Sequence, residues 1–269
     1  MSDDKITISP RYAELQGDIE TLRAELFTLF LERDELTFHT CRDLKTAYML
    51  KFGALEYKVY EWQCKVLRMK RKVELVRIQM NKSELVDIAA IDVQLDIEYA
   101  EYMNNLDKMT NDINEALFLE KNGRLLSKEE TAEIKKLYRT IVLRLHPDVN
   151  PDITAWERQL FDNAVTAYKE ADLETLRSIL LLMDTEKQGN VETSNTLKQL
   201  DERKLKLEEQ INSMQKKISI IKTSFPYDKK ALLSDKSLIL EYTGNLNNLI
   251  SDYKKAHKIY ESQLREITG

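Results

Sequence analysis

Histidine occurs three times, at 39, 146 and 257, and only His146 has neighbours that could put an imidazole to use. It opens the tripeptide His146-Pro147-Asp148, which ends the apolar-periodic, basic stretch Tyr138-Arg139-Thr140-Ile141-Val142-Leu143-Arg144-Leu145. A proline disfavours helix at the residue before it, so this stretch reads as a helix ending near His146. Pro147 and Pro151 then stiffen a short polar loop from Pro147 to Ile153, with His146 and Asp148 expected at its exposed tip. A second helix follows from about Thr154 to Glu170, with Leu160, Phe161, Ala164, Ala167 and Tyr168 on its inner face. An imidazole and a carboxylate on a rigid loop between two antiparallel helices can offer hydrogen bonds and a negative charge to a partner. They do not make a catalytic cleft. His39, beside a turn, and His257, on a charged helix, read as ordinary structural positions.

Other chemistry is excluded residue by residue. The sequence has no Gly-rich phosphate loop, no Ser-His-Asp cluster and no metal-ligand spacing, so no enzyme activity, cofactor or metal is expected. Cys41 and Cys64 form no CxxC pair and read as reduced thiols of a cytoplasmic protein. The basic cluster Lys65, Arg68, Lys70, Arg71 and Lys72 alternates with Val66, Met69 and Val73 at seam spacing, so it is the outer face of a coil. With 41 Lys plus Arg against 46 Asp plus Glu, the net charge is -5, which argues against nucleic acid as a partner. The longest apolar run, Ile179 to Met183, is far short of the roughly 20 residues that span a bilayer, and the polar start Met1-Ser2-Asp3-Asp4-Lys5 has no apolar stretch behind it.

The elements that must position this loop are helical. Six glycines and four prolines in 269 residues leave little of the turn vocabulary of β folds, and the expected class is all-α. Heptad seams run through Tyr12, Leu15, Ile19, Leu22, Leu26 and Leu29, then in another phase through Leu55, Val59, Trp62, Val66, Met69, Val73, Val76 and Met80. The phase change at Thr37 to Arg42 suggests a hairpin, with one long bent helix as the alternative. A third seam, Ile88, Ile91, Leu95, Tyr99, Tyr102, Leu106, Met109 and Ile113, stops at Asn122-Gly123. Residues 10–121 therefore read as a three-helix antiparallel coiled coil. A small helical domain is expected over 112–185, overlapping the end of the third helix. A second antiparallel coiled-coil hairpin is expected over 195–268, from the seams Leu200, Leu207, Ile211, Met214, Ile218 and Ile221, then Leu246, Leu249, Tyr253, Ala256 and Tyr260. Thr185 to Ser194 reads as a polar linker. Heptads can pair within or between chains, so self-association stays open.

The middle segment, about 112–170, resembles the J-domain of DnaJ-type co-chaperones. Glu133-Ile134-Lys135-Lys136-Leu137-Tyr138-Arg139 is similar to the family's second helix, Tyr138 and His146 stand at the family's spacing, and Phe161 with Ala167-Tyr168 looks like the core of its third helix. The resemblance implies a module that binds an ATP-loaded DnaK-type chaperone and stimulates its ATPase. The basic face, Lys135, Lys136, Arg139 and Arg144, would dock on an acidic chaperone surface. Asp148, pre-positioned by Pro147, would meet a chaperone arginine, and His146 would fix the tip. The coiled coils would hold a client or target protein. In place of the family's first helix stands Ala116-Leu117-Phe118-Leu119-Glu120-Lys121-Asn122-Gly123. The last turns of the third coiled-coil helix are expected to act as that helix, with Phe118 or Leu119 packing on Tyr138. Asp172 to Leu180 looks like an added helix. The reading from another class is a structural or scaffold coiled-coil protein whose J-like domain is a packing or protein-binding module. It would bury the tip that a working co-chaperone exposes.

Overall fold

The computed structural model describes residues 10–83, 85–122, 127–151, 153–184 and 197–268, and among them there is helix and no strand. The polar linker at 185–194, the Ser9 cap and Gly123 lie outside the described residues. The first helix, α1, covers Pro10–Glu35, with a proline at its first position, where a missing N–H costs nothing. Helix does not stop at the phase change. A π-helical segment, Leu36–Thr40, leads into α2, Cys41–Tyr48, and a second, Met49–Gly53, leads into α3, Ala54–Asn81. A π turn holds an extra residue, so each segment rotates the apolar stripe without reversing the chain. This answers the hairpin expected at Thr37 to Arg42: the alternative, a continuous helix, is observed.

The chain continues as α4 (Ile88–Glu98) and α5 (Ala100–Asn122), α6 (Lys128–Leu145), α7 (Ala155–Glu170), α8 (Leu173–Asp184) and α9 (Leu197–Thr223). A 3-10 turn at Tyr227–Lys229, a short α10 (Lys230–Ser234) and α11 (Lys236–Thr268) complete it. These elements form two compact units, each assembled from segments far apart in sequence.

The first unit contains α1, the helices α6 to α8, and α9. Its core joins Leu15, Ile19, Leu26, Phe27 and Phe30 of α1 to Leu200, Leu207, Ile211, Met214 and Ile218 of α9. Polar pairs along the seam fix the direction: Arg11 with Asp201 at 3.4 Å, Asp18 with Lys204 at 2.6 Å, Gln215 donating to Glu25 at 3.3 Å, and Glu32 with Lys222 at 2.5 Å. Both numbers rise together, so α1 and α9 run parallel. Parallel neighbours need a long connection, and the intervening helices supply it.

In the second unit α3 packs on α11, again in parallel: Glu56 accepts from Tyr242 at 2.7 Å, and Gln263 accepts from Arg77 at 3.5 Å. The α4–α5 arm packs antiparallel on α3, with Arg68 to Asp96 at 2.6 Å, Lys72 to Asp92 at 2.7 Å and the Asn105 amide to Tyr60 at 3.3 Å. Arg68, Arg71 and Lys72 of the expected basic cluster are therefore tied to acidic partners on α4, and Lys65 pairs with Glu61 of α3 itself. Gly53 lies against α5, since a Cβ there would stand 2.9 Å from the Ile113 side chain.

The expectation that residues 195–268 form one hairpin is corrected. The seams of α9 and α11 are present, but α9 uses its seam on α1, and α11 uses Leu246 and Ile250 rather than Leu249. Heptads specify an apolar stripe and leave the partner to length, flanking charge and connection.

Leu95 is fully buried, whereas Trp62 is partly exposed under the Lys65 and Lys254 ammonium groups. Leu95→Lys should therefore destabilise the second unit by more than about 4 kcal/mol, because it buries an unpaired charge. Trp62→Lys should cost less than half of that. Urea unfolding followed by far-UV circular dichroism checks the order, and equal losses would contradict this packing.

Candidate functional site

Each helix around the His-Pro-Asp loop is started and stopped by its own residues. Ser127 caps α6 in a reciprocal box with Glu130, and Thr154 caps α7 in the same way with Glu157. Helix α6 stops where Pro147 forces its predecessor out of helix: His146 sits at φ -67° and ψ 123°. Helix α7 ends on Ala171 in the left-handed region, φ 58°, and Asp172 turns the chain into α8 by accepting from the Thr175 N–H and hydroxyl at 3.1 and 2.6 Å.

The loop is held from inside. The amides of Val149 and Asn150 donate to the His146 carbonyl at 3.1 and 2.8 Å, and the Asp148 amide donates to His146 Nδ1 at 3.1 Å. The Asn150 side chain ties the loop back to the Leu143 carbonyl at 3.0 Å. Because Nδ1 accepts, the neutral imidazole carries its proton on Nε2.

His146 is not at an exposed tip, which corrects the sequence expectation. It is 5% exposed, with the Phe30 ring of α1 at 3.7 Å centroid distance and the Phe161 ring at 5.0 Å. Burial, with the nearby Arg33 guanidinium, pushes the imidazole down to about 4. The hydrophobic seam of α1 reaches the loop through Phe30, a contact that no local sequence signal announces. Pro147 is half-buried, Asp148 is exposed, and Val149 turns into the core.

Beneath the loop lies a polar joint between α1 and the α6–α7 pair. The rings of Tyr138 and Tyr168 stack at 3.9 Å with 4° between their planes. The Tyr138 hydroxyl donates to Asp34 at 2.7 Å, and the Tyr168 hydroxyl donates to Glu35 at 2.8 Å. Asp34 is buried and also bonded by Arg33 Nε at 2.8 Å. Burial would raise Glu35, but hydrogen bonds from Lys135 and Tyr168 hold it below the ordinary carboxylate value. Burial, and then the carboxylate each phenol faces, raise both tyrosines, so both hydroxyls stay protonated donors.

The structure thus gathers the expected core residues Tyr138, Phe161, Ala167 and Tyr168 around one buried joint. The Tyr138 hydroxyl and ring meet Asp34 and Tyr168. The residues that sequence reading missed are Phe30, Asp34 and Glu35. Two adjacent acids, Asp34 and Glu35, at the end of an apolar seam were the available signal.

The basic residues of α6 all reach solvent, but two of them also engage α1. Lys135 pairs with Glu35 at 2.9 Å, and the Arg139 guanidinium lies 5.9 Å from the Phe27 ring centre. Lys136 and Arg144 are also exposed on α6. Beside the loop, Arg23 of α1 with Arg203 and Lys206 of α9 line a cleft that also contains Pro147, Asp148 and Pro151. The Asp148 carboxylate is therefore presented in a cationic setting.

Among the described residues no group of three or more His, Cys, Asp or Glu side chains could hold a metal ion, and no described helix is long and apolar enough to cross a membrane. Comparison with known proteins finds no matching family model, curated protein or solved structure.

The folded imidazole titrates near 4 and a free one near 6.5. Between these values the unfolded chain binds the extra proton. His146 burial therefore stabilises fully above about pH 6.5, and that stability is lost as pH falls toward 4, by about 3 kcal/mol at most. Denaturant unfolding at pH 7 and pH 4.5 should show this loss, and His146→Gln should flatten it. An unchanged slope in the variant would contradict the burial.

Proposed function

We propose that the chain is a J-domain co-chaperone or adaptor of the cytoplasm, recruiting and stimulating a DnaK-type ATPase through its His-Pro-Asp loop. The coiled coils hold the client or target protein. The observation that carries this reading is the joint exposure of Asp148 and of Lys135, Lys136, Arg139 and Arg144 on the helix leading to it. A basic stripe steers an acidic partner surface and gives a salt-dependent association rate. It would bring a partner cation to Asp148, whose place is fixed by the loop's hydrogen bonds. His146 acts on the loop from below, as the acceptor that fixes the Asp148 amide. No residue here makes or breaks a covalent bond in this reading; ATP and its hydrolysis belong to the partner.

A second reading draws support from the Phe30 ring over His146. With Lys135 and Arg139 also engaged by α1, the module would be a packing or protein-binding part of a coiled-coil scaffold.

Single-turnover ATP hydrolysis by a DnaK-type chaperone distinguishes the two. The co-chaperone reading expects stimulation by the intact protein. It expects loss of about tenfold or more in Asp148→Asn, with unfolding free energy unchanged within about 0.5 kcal/mol, the usual range for a surface change. In His146→Gln, stimulation and stability should fall together. A folded protein that stimulates no DnaK-type chaperone leaves the scaffold reading.

A further inference from the structure

Helix α9 reaches the His-Pro-Asp loop from outside the α6–α8 module. Arg203, Lys206, Leu207 and Gln210 fall on one face of α9, because residues three, four and seven apart are neighbours on a helix. That face lines an open cleft of about 140 Å³ that also contains Pro147, Asp148 and Pro151 of the loop. Leu207 is buried in the core that α9 shares with α1, which fixes the direction of the face. Arg203 is half-buried and Lys206 is exposed. Arg23 of α1 also lines the cleft and is already engaged within the chain.

The cations of α9 divide into two groups. Lys204 and Lys222 are committed to Asp18 and Glu32 along the α1 seam. Among the described residues Arg203 and Lys206 take part in no ion pair, with Asp148 or with any other acid. Glu202 and Glu209 stand one turn to either side of Lys206, but Glu202 pairs with Lys198 at 3.7 Å. Three cations and one carboxylate therefore line the cleft. A bare cation approaching Asp148 is opposed by them, whereas a cation flanked by carboxylates is attracted at every point.

We infer that Arg203 and Lys206 belong to the surface that docks the proposed ATPase. They set which partner it accepts: one whose cation for Asp148 stands between carboxylates that meet these two side chains. This inference rests on the co-chaperone reading. It extends the docking surface from α6 and the loop onto the coil, and gives α9 a task besides packing on α1. The two cations act in binding, while Asp148 remains in place in the bound complex, so their loss changes affinity and not the rate at saturation.

The test is single-turnover ATP hydrolysis by a DnaK-type chaperone, titrated with the full chain. In Arg203→Gln/Lys206→Gln the concentration for half-maximal stimulation should rise at least about fivefold, and its dependence on salt should flatten. The rate at saturating protein should be unchanged. Lys206→Gln alone, at an exposed side chain, should move the half-maximal concentration in the same direction. Lys216→Gln/Lys217→Gln removes the same net charge from exposed positions farther along α9 and should leave that concentration within about twofold of the intact chain. The swap Arg203→Lys/Lys206→Arg should keep docking. Circular dichroism and the urea midpoint of every variant should match the intact chain. A half-maximal concentration that is unchanged or lower in Arg203→Gln/Lys206→Gln overturns the inference. So does an equal rise in both double variants, because net charge alone then accounts for it. If the intact chain stimulates no DnaK-type chaperone, the co-chaperone reading falls and this inference with it. That failure shows before any variant is made, so the two are told apart.

Discussion

The first unit depends on two stacked tyrosines bound to adjacent carboxylates. Tyr138 comes from α6 and Tyr168 from α7, so their stacking sets the distance between the two helices. Asp34 and Glu35 are consecutive on α1, so their hydrogen bonds set where α1 meets the pair. Buried phenol-to-carboxylate bonds are directional and charge-assisted, and an unpaired buried carboxylate is costly. The joint therefore permits one placement of α1 on the α6–α7 pair.

The state of His146 follows from that placement. One helical turn before Asp34, Phe30 lies against the imidazole, and Phe161 closes the other side. A ring so enclosed is neutral at physiological pH and has one role left for Nδ1, the acceptor of the Asp148 amide. The two charged-residue types of the motif are thereby separated in function. The histidine is part of the core that shapes the loop, and the aspartate is the group that meets solvent. The proposed chaperone contact rests on this division, because a fixed backbone gives Asp148 a defined position.

Much of this was legible in the sequence, for identifiable reasons. The all-α class followed from scarce glycine and proline and from the seams. The ends of α6 and α7 were legible because Pro147 and Thr154 act locally. The inward residues of α7, Leu160, Phe161, Ala164, Ala167 and Tyr168, are buried as their spacing predicts. What was not legible was partner choice. The stripes on α1, α3, α9 and α11 are interchangeable by pattern, and their parallel pairing depends on ladders such as Asp18 with Lys204, which become visible only once the register is known. The π-helical segments were hidden because a phase shift looks the same whether the chain turns or over-counts by a residue. His146 was misplaced because the residue that covers it, Phe30, lies more than a hundred positions away.

The claim that the loop is built on a buried, neutral His146 is tested most directly by nitrogen-detected NMR of the imidazole in the intact protein. The account predicts an Nε2–H tautomer with an unprotonated, hydrogen-bonded Nδ1 at pH 7, and a titration midpoint near 4. A ring that exchanges tautomers and titrates near 6.5, the value of a free imidazole, would show His146 in solvent and contradict the docking of α1 on the loop.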